Sequence, residues 1–197
     1  MSLCGINPNG CFQDLCRKMQ GLFSFDVFKL SSLCSKYGSA FLPQPTPKYW
    51  LFQFSPEIYN WFGWINEKEE TEQWLTSRHF KEICKDDMVV IWSSGQKTGT
   101  AGIYAVGRVV EYPVKKPLNP DQEKHYLAKS EVEKFQKYPS VIVKHFKVFV
   151  EKPLLQEECK KDSVLSSMHV FSNPQGTNFR LTRKHWDRIL EKIDHML

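Results

Sequence analysis

Residues 86–110 read DDMVVIWSSGQKTGTAGIYAVGRVV. Two runs rich in β-branched and aromatic residues, 88–92 and 101–110, flank a polar, glycine-containing stretch, which is the pattern of an antiparallel hairpin with a long tip. Trp92 ends the first run. Gly102 and Gly107 sit inside the second, where glycine marks a bulge, a bend in a barrel or the close approach of another group. The stretch predicts the edge of a small barrel with an aromatic wall, a place to hold a flat ligand.

Upstream, YWLFQF at 49–54 is rich in strand formers, and Ser55 and Pro56 close it and cap a short helix from Glu57. NEKEETEQW, residues 66–74, reads as acidic and helix-prone, and SRHFKEICKDD, residues 77–87, leads to the hairpin through a second short helical or turn segment. Downstream, the three prolines of 113–126 make a loop, residues 127–137 a charged helix, and SVIVKHFKVFV at 140–150 a long half-buried strand. VLSSMHVFS, residues 164–172, adds a short β-type run. In the last segment Leu181, His185 or Trp186, and Ile189 fall at helical spacing, with Thr182 as N-cap. Strands with mixed connections, short helices and a closing helix predict an α+β fold, a small mixed β-barrel with peripheral short helices and a C-terminal helix. Repeated β-α-β units are missing, which disfavours a Rossmann-type sheet.

A chain of 197 residues suits one domain with an appendage. PQPTP at 43–47 fits no helix or strand interior. It divides an N-terminal appendage with its Pro-rich linker, residues 1–47, from a domain over 48–197; the appendage carries an amphipathic helix at 11–19. No stretch approaches the roughly 18 apolar residues of a membrane helix, and the start lacks the pattern of a secretory signal. A cytoplasmic protein is expected, or a nuclear one in a eukaryote, without membrane contact. The six cysteines form no CxxC pair and match no zinc spacing, so reduced thiols and no metal or other cofactor are expected. Net charge is +5, and residues 114–197 hold 16 Lys and Arg against 11 Asp and Glu, a surplus that suits either a nucleic-acid backbone or a merely solvated face.

Taken in order, KYWLFQFSP (48–56), TEQWLTSRHFKEICKDDMVVIW (71–92), AGIYAVGRVV (101–110) and PQGTNFRLTRKHW (174–186) resemble an EVE domain of the PUA-like superfamily over about residues 48–193. Each piece alone is common among barrels; their joint occurrence is specific, and QGTNFRLT before a Trp-containing helix is the most telling. EVE domains are related to YTH domains. They are found in thymocyte nuclear protein and as N-terminal specificity modules of modification-dependent restriction GTPases. The resemblance implies a non-catalytic module that recognises a modified base, methylated or hydroxymethylated, flipped out of nucleic acid, with DNA favoured over RNA and a restriction or other effector as a further partner. Many relatives carry Gly-Asp where this chain has Asp86 and Asp87.

A flipped base offers two π-faces and one hydrogen-bonding edge, so its pocket needs aromatic walls and a few fixed polar groups. Phe54, Trp74 and Trp92 are the aromatic candidates, and Trp74 corresponds in order to the first cage tryptophan of YTH-like pockets. Ser55, Ser93, Ser94, Thr177 and Asn178 are candidates for the edge. Each tryptophan taken alone reads more readily as barrel core, and the Thr177 and Asn178 loop equally as a helix cap. Lys97, Arg180, Arg183 and Lys184 are candidates for the phosphate backbone.

Catalytic readings are weaker. SSGQKTG lacks the GK[ST] of a phosphate-binding loop and is followed by a strand rather than a helix. Asp121, Glu158 and Lys160 have the residue types of a metal-dependent nuclease, but EECK is polar and helix- or loop-like rather than a buried strand presenting ligands. The six histidines are scattered, without a neighbouring nucleophile.

Overall fold

The computed structural model describes residues 46–67, 70–95 and 100–196. YWLFQF forms β1 (Tyr49–Phe54), an inner strand of a mixed sheet. β2 (Thr71–Leu75) is an edge strand, and the hairpin supplies β3 (Met88–Ser93) and β4 (Gly102–Val109). β5 (Ser140–Val148), the two-residue β6 (Leu154–Leu155) and β7 (Asn178–Leu181) complete it. The order is β2-β5-β4-β3-β1-β7, with β6 on β4. β1 and β3 run parallel with Trp50 opposite Val89, while β7 is antiparallel to β1 with Phe179 opposite Leu51. The sheet curls into a half-barrel.

Side-chain alternation along the strands sorts two cores. Leu51, Val90 and Trp92 face one side with Ile103, Phe179 and Trp186. Trp50, Phe52 and Phe54 face the other with Val89, Ile91, Trp61 and Trp74. The helices are short and peripheral: α1 (Trp61–Asn66), α2 (Pro120–Glu123), α3 (Lys129–Val132), α4 (Lys134–Lys137) and α5 (Gln156–Lys161). The C-terminal α6 (Arg183–Met196) covers the first core through Trp186, Ile189 and Ile193.

Both strand glycines sit where another chain segment passes. The register of β4 on β5 shifts between Val106 and Gly107, and a Cβ on Gly107 would lie 2.5 Å from the Lys144 carbonyl oxygen. One on Gly102 would lie 2.6 Å from that of Leu154, on β6.

Several local expectations are corrected. Ser55 and Pro56 begin a turn that ends at an isolated bridge between Tyr59 and Tyr126, and the helix starts later, capped by the Asn60 side chain accepting from Gly63 N at 3.1 Å. The acidic stretch expected to be helical contributes β2 instead, because Trp74 and the buried Glu72 and Gln73 pair with β5. Residues 164–172 form a 3-10 turn (Leu165–Ser167) and further turns rather than a strand; Leu165, Met168 and Val170 are drawn into the core without a ladder partner. The charged helix of 127–137 is two single turns, α3 and α4. Cys159 is a free buried thiol. Lys97 and the helix expected at 11–19 lie outside the described residues.

Candidate functional site

The curled sheet does not close by backbone pairing: its end strands, β2 and β7, are not hydrogen-bonded neighbours. Side chains link them. Asn178 Nδ2 donates to the Leu75 carbonyl at 3.3 Å, and the hydroxyls of Ser77 and Thr177 meet at 3.4 Å. A cleft of about 540 Å³ is lined by Trp74 and Leu75 of β2, Gln53 and Phe54 of β1, and the loop 174–177 before β7. Its size falls within the roughly 300–1,000 Å³ of pockets that hold small flat ligands.

The cleft is aromatic. Phe54 stacks on Trp61 with centroids 5.2 Å apart, Tyr59 stacks on Tyr126 at 4.5 Å, and Tyr59 meets Trp74 edge to face at 6.4 Å. Such pairs add about 0.5–1.5 kcal/mol beyond burial, which holds the wall rigid. Trp74 is only 6% exposed, yet its indole Nε1 has no hydrogen-bond partner. A buried donor left unmet costs about 1–3 kcal/mol.

Behind the wall lies a buried carboxylate. Glu72 accepts from Trp61 Nε1 at 2.9 Å and sits 3.0 Å from His145 Nε2. Burial, and then the charge of Glu72, push the Tyr59 and Tyr126 phenols upward, so both keep their protons at any physiological pH. Gln122 donates to the Tyr59 hydroxyl at 3.1 Å.

Of the residues expected at the site, Phe54, Ser55, Trp74, Ser94 and Thr177 line the cleft together. Trp92 does not. It is 2% exposed in the core beneath α6 and meets Phe171 edge to face at 5.7 Å, because it shares a sheet face with Val90. Ser93 is buried, with its hydroxyl accepting from Gly95 N at 3.3 Å. Asn178 lies behind the lip: its Oδ1 accepts from Thr177 Oγ1 at 3.2 Å while its amide holds Leu75.

Gln53, Tyr59, Tyr126 and Phe135 also line the cleft and were not among the residues expected from sequence. Gln53 Nε2 donates to the carbonyls of Pro174 and Gly176 at 2.7 and 2.9 Å, clamping the loop at the cleft. Its signal was a lone amide in the strand YWLFQF. Tyr126 and Phe135 come from a charged segment and gave none. The turn 77–82 begins two positions beyond Leu75, and there His79 adopts a left-handed φ of 58°, at a cost of about 1–2 kcal/mol.

Arg180 and Arg183 are exposed and paired with Glu82 at 3.5 Å and Asp187 at 3.2 Å; Lys184 is exposed. Exposed pairs of this kind contribute at most about 1 kcal/mol, so these cations can turn to a phosphate at small cost. Asp121 is paired with Lys124, and Glu158 accepts from Leu155 N at the start of α5, so both serve local structure. Among the described residues, no group of three or more His, Cys, Asp or Glu is placed to hold a metal ion.

Similarity to known proteins agrees with this architecture. The family model of the EVE domain matches residues 48–192. No curated protein matches in sequence. Among solved structures, a protein from Leishmania major superposes with a TM-score of 0.58 at 18% identity, covering 76% of this chain and 96% of its own. Rpa0253 from Rhodopseudomonas palustris gives 0.53 at 16% identity, over 73% and 91%. Human THYN1, in a structure with DNA containing 5-methylcytosine, gives 0.52 at 18% identity, over 73% and 96%. With the family model spanning the whole sheet and most of α6, the chain belongs to the EVE domain family.

Proposed function

We propose that this chain is a non-catalytic reader of a modified base in DNA, with the base turned out of the stack and held in the cleft beside Trp74. The observation that carries the reading is a cleft of about 540 Å³ walled by Phe54, Tyr59, Trp74 and Tyr126 at the open edge of the sheet. A base would fit within it, with aromatic side chains against its faces and the polar groups of Ser55, Ser94 and Thr177 near its edge. The shared fold with human THYN1, determined with DNA containing 5-methylcytosine, supports DNA as the polymer. Without chemistry of its own, the module would act by recruiting an effector such as a restriction nuclease, in whichever compartment holds the DNA.

Burying one methyl group gains on the order of 1 kcal/mol, about a fivefold preference, and pocket shape must supply the rest. Short duplexes carrying methylated, hydroxymethylated or plain cytosine and adenine, matched with RNA, test this by fluorescence anisotropy. One modified duplex is expected to bind at least about fivefold more tightly than its plain counterpart. Trp74→Ala should abolish the preference with the fold intact. Trp92→Ala should instead lower stability by about 3–5 kcal/mol, as a core truncation does. Equal binding of modified and plain strands overturns the reading, and preference for RNA redirects it.

A further inference from the structure

We propose that the turn 77–82 is a wedge that enters the duplex beside the cleft, with Phe80 filling the gap left by the extruded base and Arg78 and Lys81 on the flanking phosphates. The inference rests on the reading of the cleft as a base pocket.

Position comes first. The turn leaves β2 immediately after Trp74 and Leu75, which line the cleft. Thr76 anchors it there: its N and Oγ1 both donate to the Pro139 carbonyl, at 2.9 and 2.8 Å. The hydroxyl of Ser77 then touches that of the cleft residue Thr177. At its far end the turn is fixed again, with Lys48 Nζ donating to the Glu82 carbonyl at 2.6 Å and Arg180 facing the Glu82 carboxylate at 3.5 Å.

Rigidity comes second. Glu82 N and Ile83 N both donate to the His79 carbonyl, at 2.7 and 3.0 Å. The His79 ring lies 5.5 Å from the fully buried Trp50, and its Nδ1 meets Glu82 Oε1 at 3.0 Å. That contact, joined by the charges of His79 and Arg180, holds the Glu82 carboxyl below the usual range despite slight burial. The left-handed backbone at His79 is therefore tied to the core, and the next residue is presented at a fixed place.

Third is what is presented. Phe80 is 38% exposed at the tip, with Arg78 and Lys81 also exposed on either side and the Lys81 ammonium 5.9 Å from the ring. A flat apolar ring between cations, close to an aromatic cleft, has the parts of a stacking wedge: the ring replaces lost base stacking, and the cations meet phosphates. The charge around the cleft sets the side of approach. The turn and Arg180 present cations, whereas at the lip made by Glu57, Ile58 and Glu131 the cation Lys134 is paired with the Glu131 carboxylate at 2.7 Å.

A wedge is needed only where there is a stack to fill. Affinities of the wild type and Phe80→Ala are therefore compared on a 5-methylcytosine duplex and on the same strand alone. The variant is expected to lose about tenfold or more on the duplex, the scale of one stacked base, and less than about twofold on the single strand. Phe80→Trp should restore duplex binding, and Arg78→Ala should reduce the slope of log affinity against log salt by about 1. Equal loss on both substrates, or none, overturns the wedge while leaving the base pocket standing. A wild type that does not distinguish modified from plain duplex overturns both. Urea unfolding of Phe80→Ala is run alongside; if its midpoint falls, the duplex-to-single-strand ratio with Phe80→Leu decides, because a wedge then requires the loss to remain confined to the duplex.

Discussion

Asp86 and Asp87 stand side by side and are fixed by different forces. Asp87 accepts from Lys48 N, Cys84 N and the Trp50 indole at 2.8–2.9 Å, and burial pushes its carboxyl up against those three donors. Asp86 has a left-handed φ of 69° and an exposed side chain 3.9 Å from Arg108. Its backbone, not its charge, is constrained, the condition that glycine meets most easily. Asp86→Gly should match or exceed the parent in stability, while Asp86→Ala should lose about 1 kcal/mol, since alanine gains neither the freedom of glycine nor the local hydrogen bonding of aspartate. Urea unfolding of the three proteins checks the order; an alanine variant as stable as the parent removes φ as the cause. The same scale shows what sequence could resolve. Trp74 and Trp92 look alike as aromatic candidates, and that each could serve a pocket or the core was visible. Which sheet face holds the cleft was not, because that depends on the β1–β3 register and on where the sheet stops closing.

At the element scale, α6 carries its own pH sensor. Thr182 Oγ1 accepts from His185 N at 3.1 Å, and His185 Nδ1 accepts from Thr182 N at 3.3 Å, a reciprocal cap in which histidine takes the place of glutamate. The opposite ring nitrogen meets Ser167 Oγ at 2.9 Å. The cap needs Nδ1 unprotonated, and burial, with a smaller push from His169, lowers the His185 pKa. The folded state therefore favours the neutral ring. Its contribution is complete above about pH 6.5, where an unfolded histidine titrates, and is lost as pH falls through the lower folded value. His185→Gln keeps an acceptor without the titration, so its unfolding midpoint should fall less than the parent's between about pH 7 and 5; parallel curves would show that the cap does not titrate. Thr182→Ala should cost about 1 kcal/mol at either pH. The cap was legible because Thr182 precedes a helical apolar pattern. β2 was not, since its Glu72 and Gln73 look solvent-facing until a buried Trp61 indole donates to Glu72 and the Pro117 carbonyl and Ser140 hydroxyl accept from the Gln73 amide. β7 was missed because four residues are too few to show a period.

Across the whole molecule, the ordered motifs gave away the architecture because each lies on a strand or cap that the mixed sheet cannot do without. The site depends on something no motif states, the gap between β2 and β7. Asn178 spans it, and its effect is global. Removing its side chain leaves the Leu75 carbonyl and the Thr177 hydroxyl each short of a partner, a loss of about 1–2 kcal/mol. The two edges would then be joined near the cleft mainly by the 3.4 Å contact of Ser77 with Thr177. Asn178→Ala is thus expected to remain folded, to speed amide exchange in residues 75–77 and 177–181, and to weaken binding of the modified duplex, while exchange in the central β3–β4 pair changes only with the global loss of stability. Hydrogen exchange followed by mass spectrometry separates the cases. Faster exchange confined to the two edges identifies Asn178 as the clasp that closes the half-barrel around its cleft. Uniform acceleration means that it serves general stability, and no change at the edges means that the loop 174–177, held by Gln53, closes the gap without it.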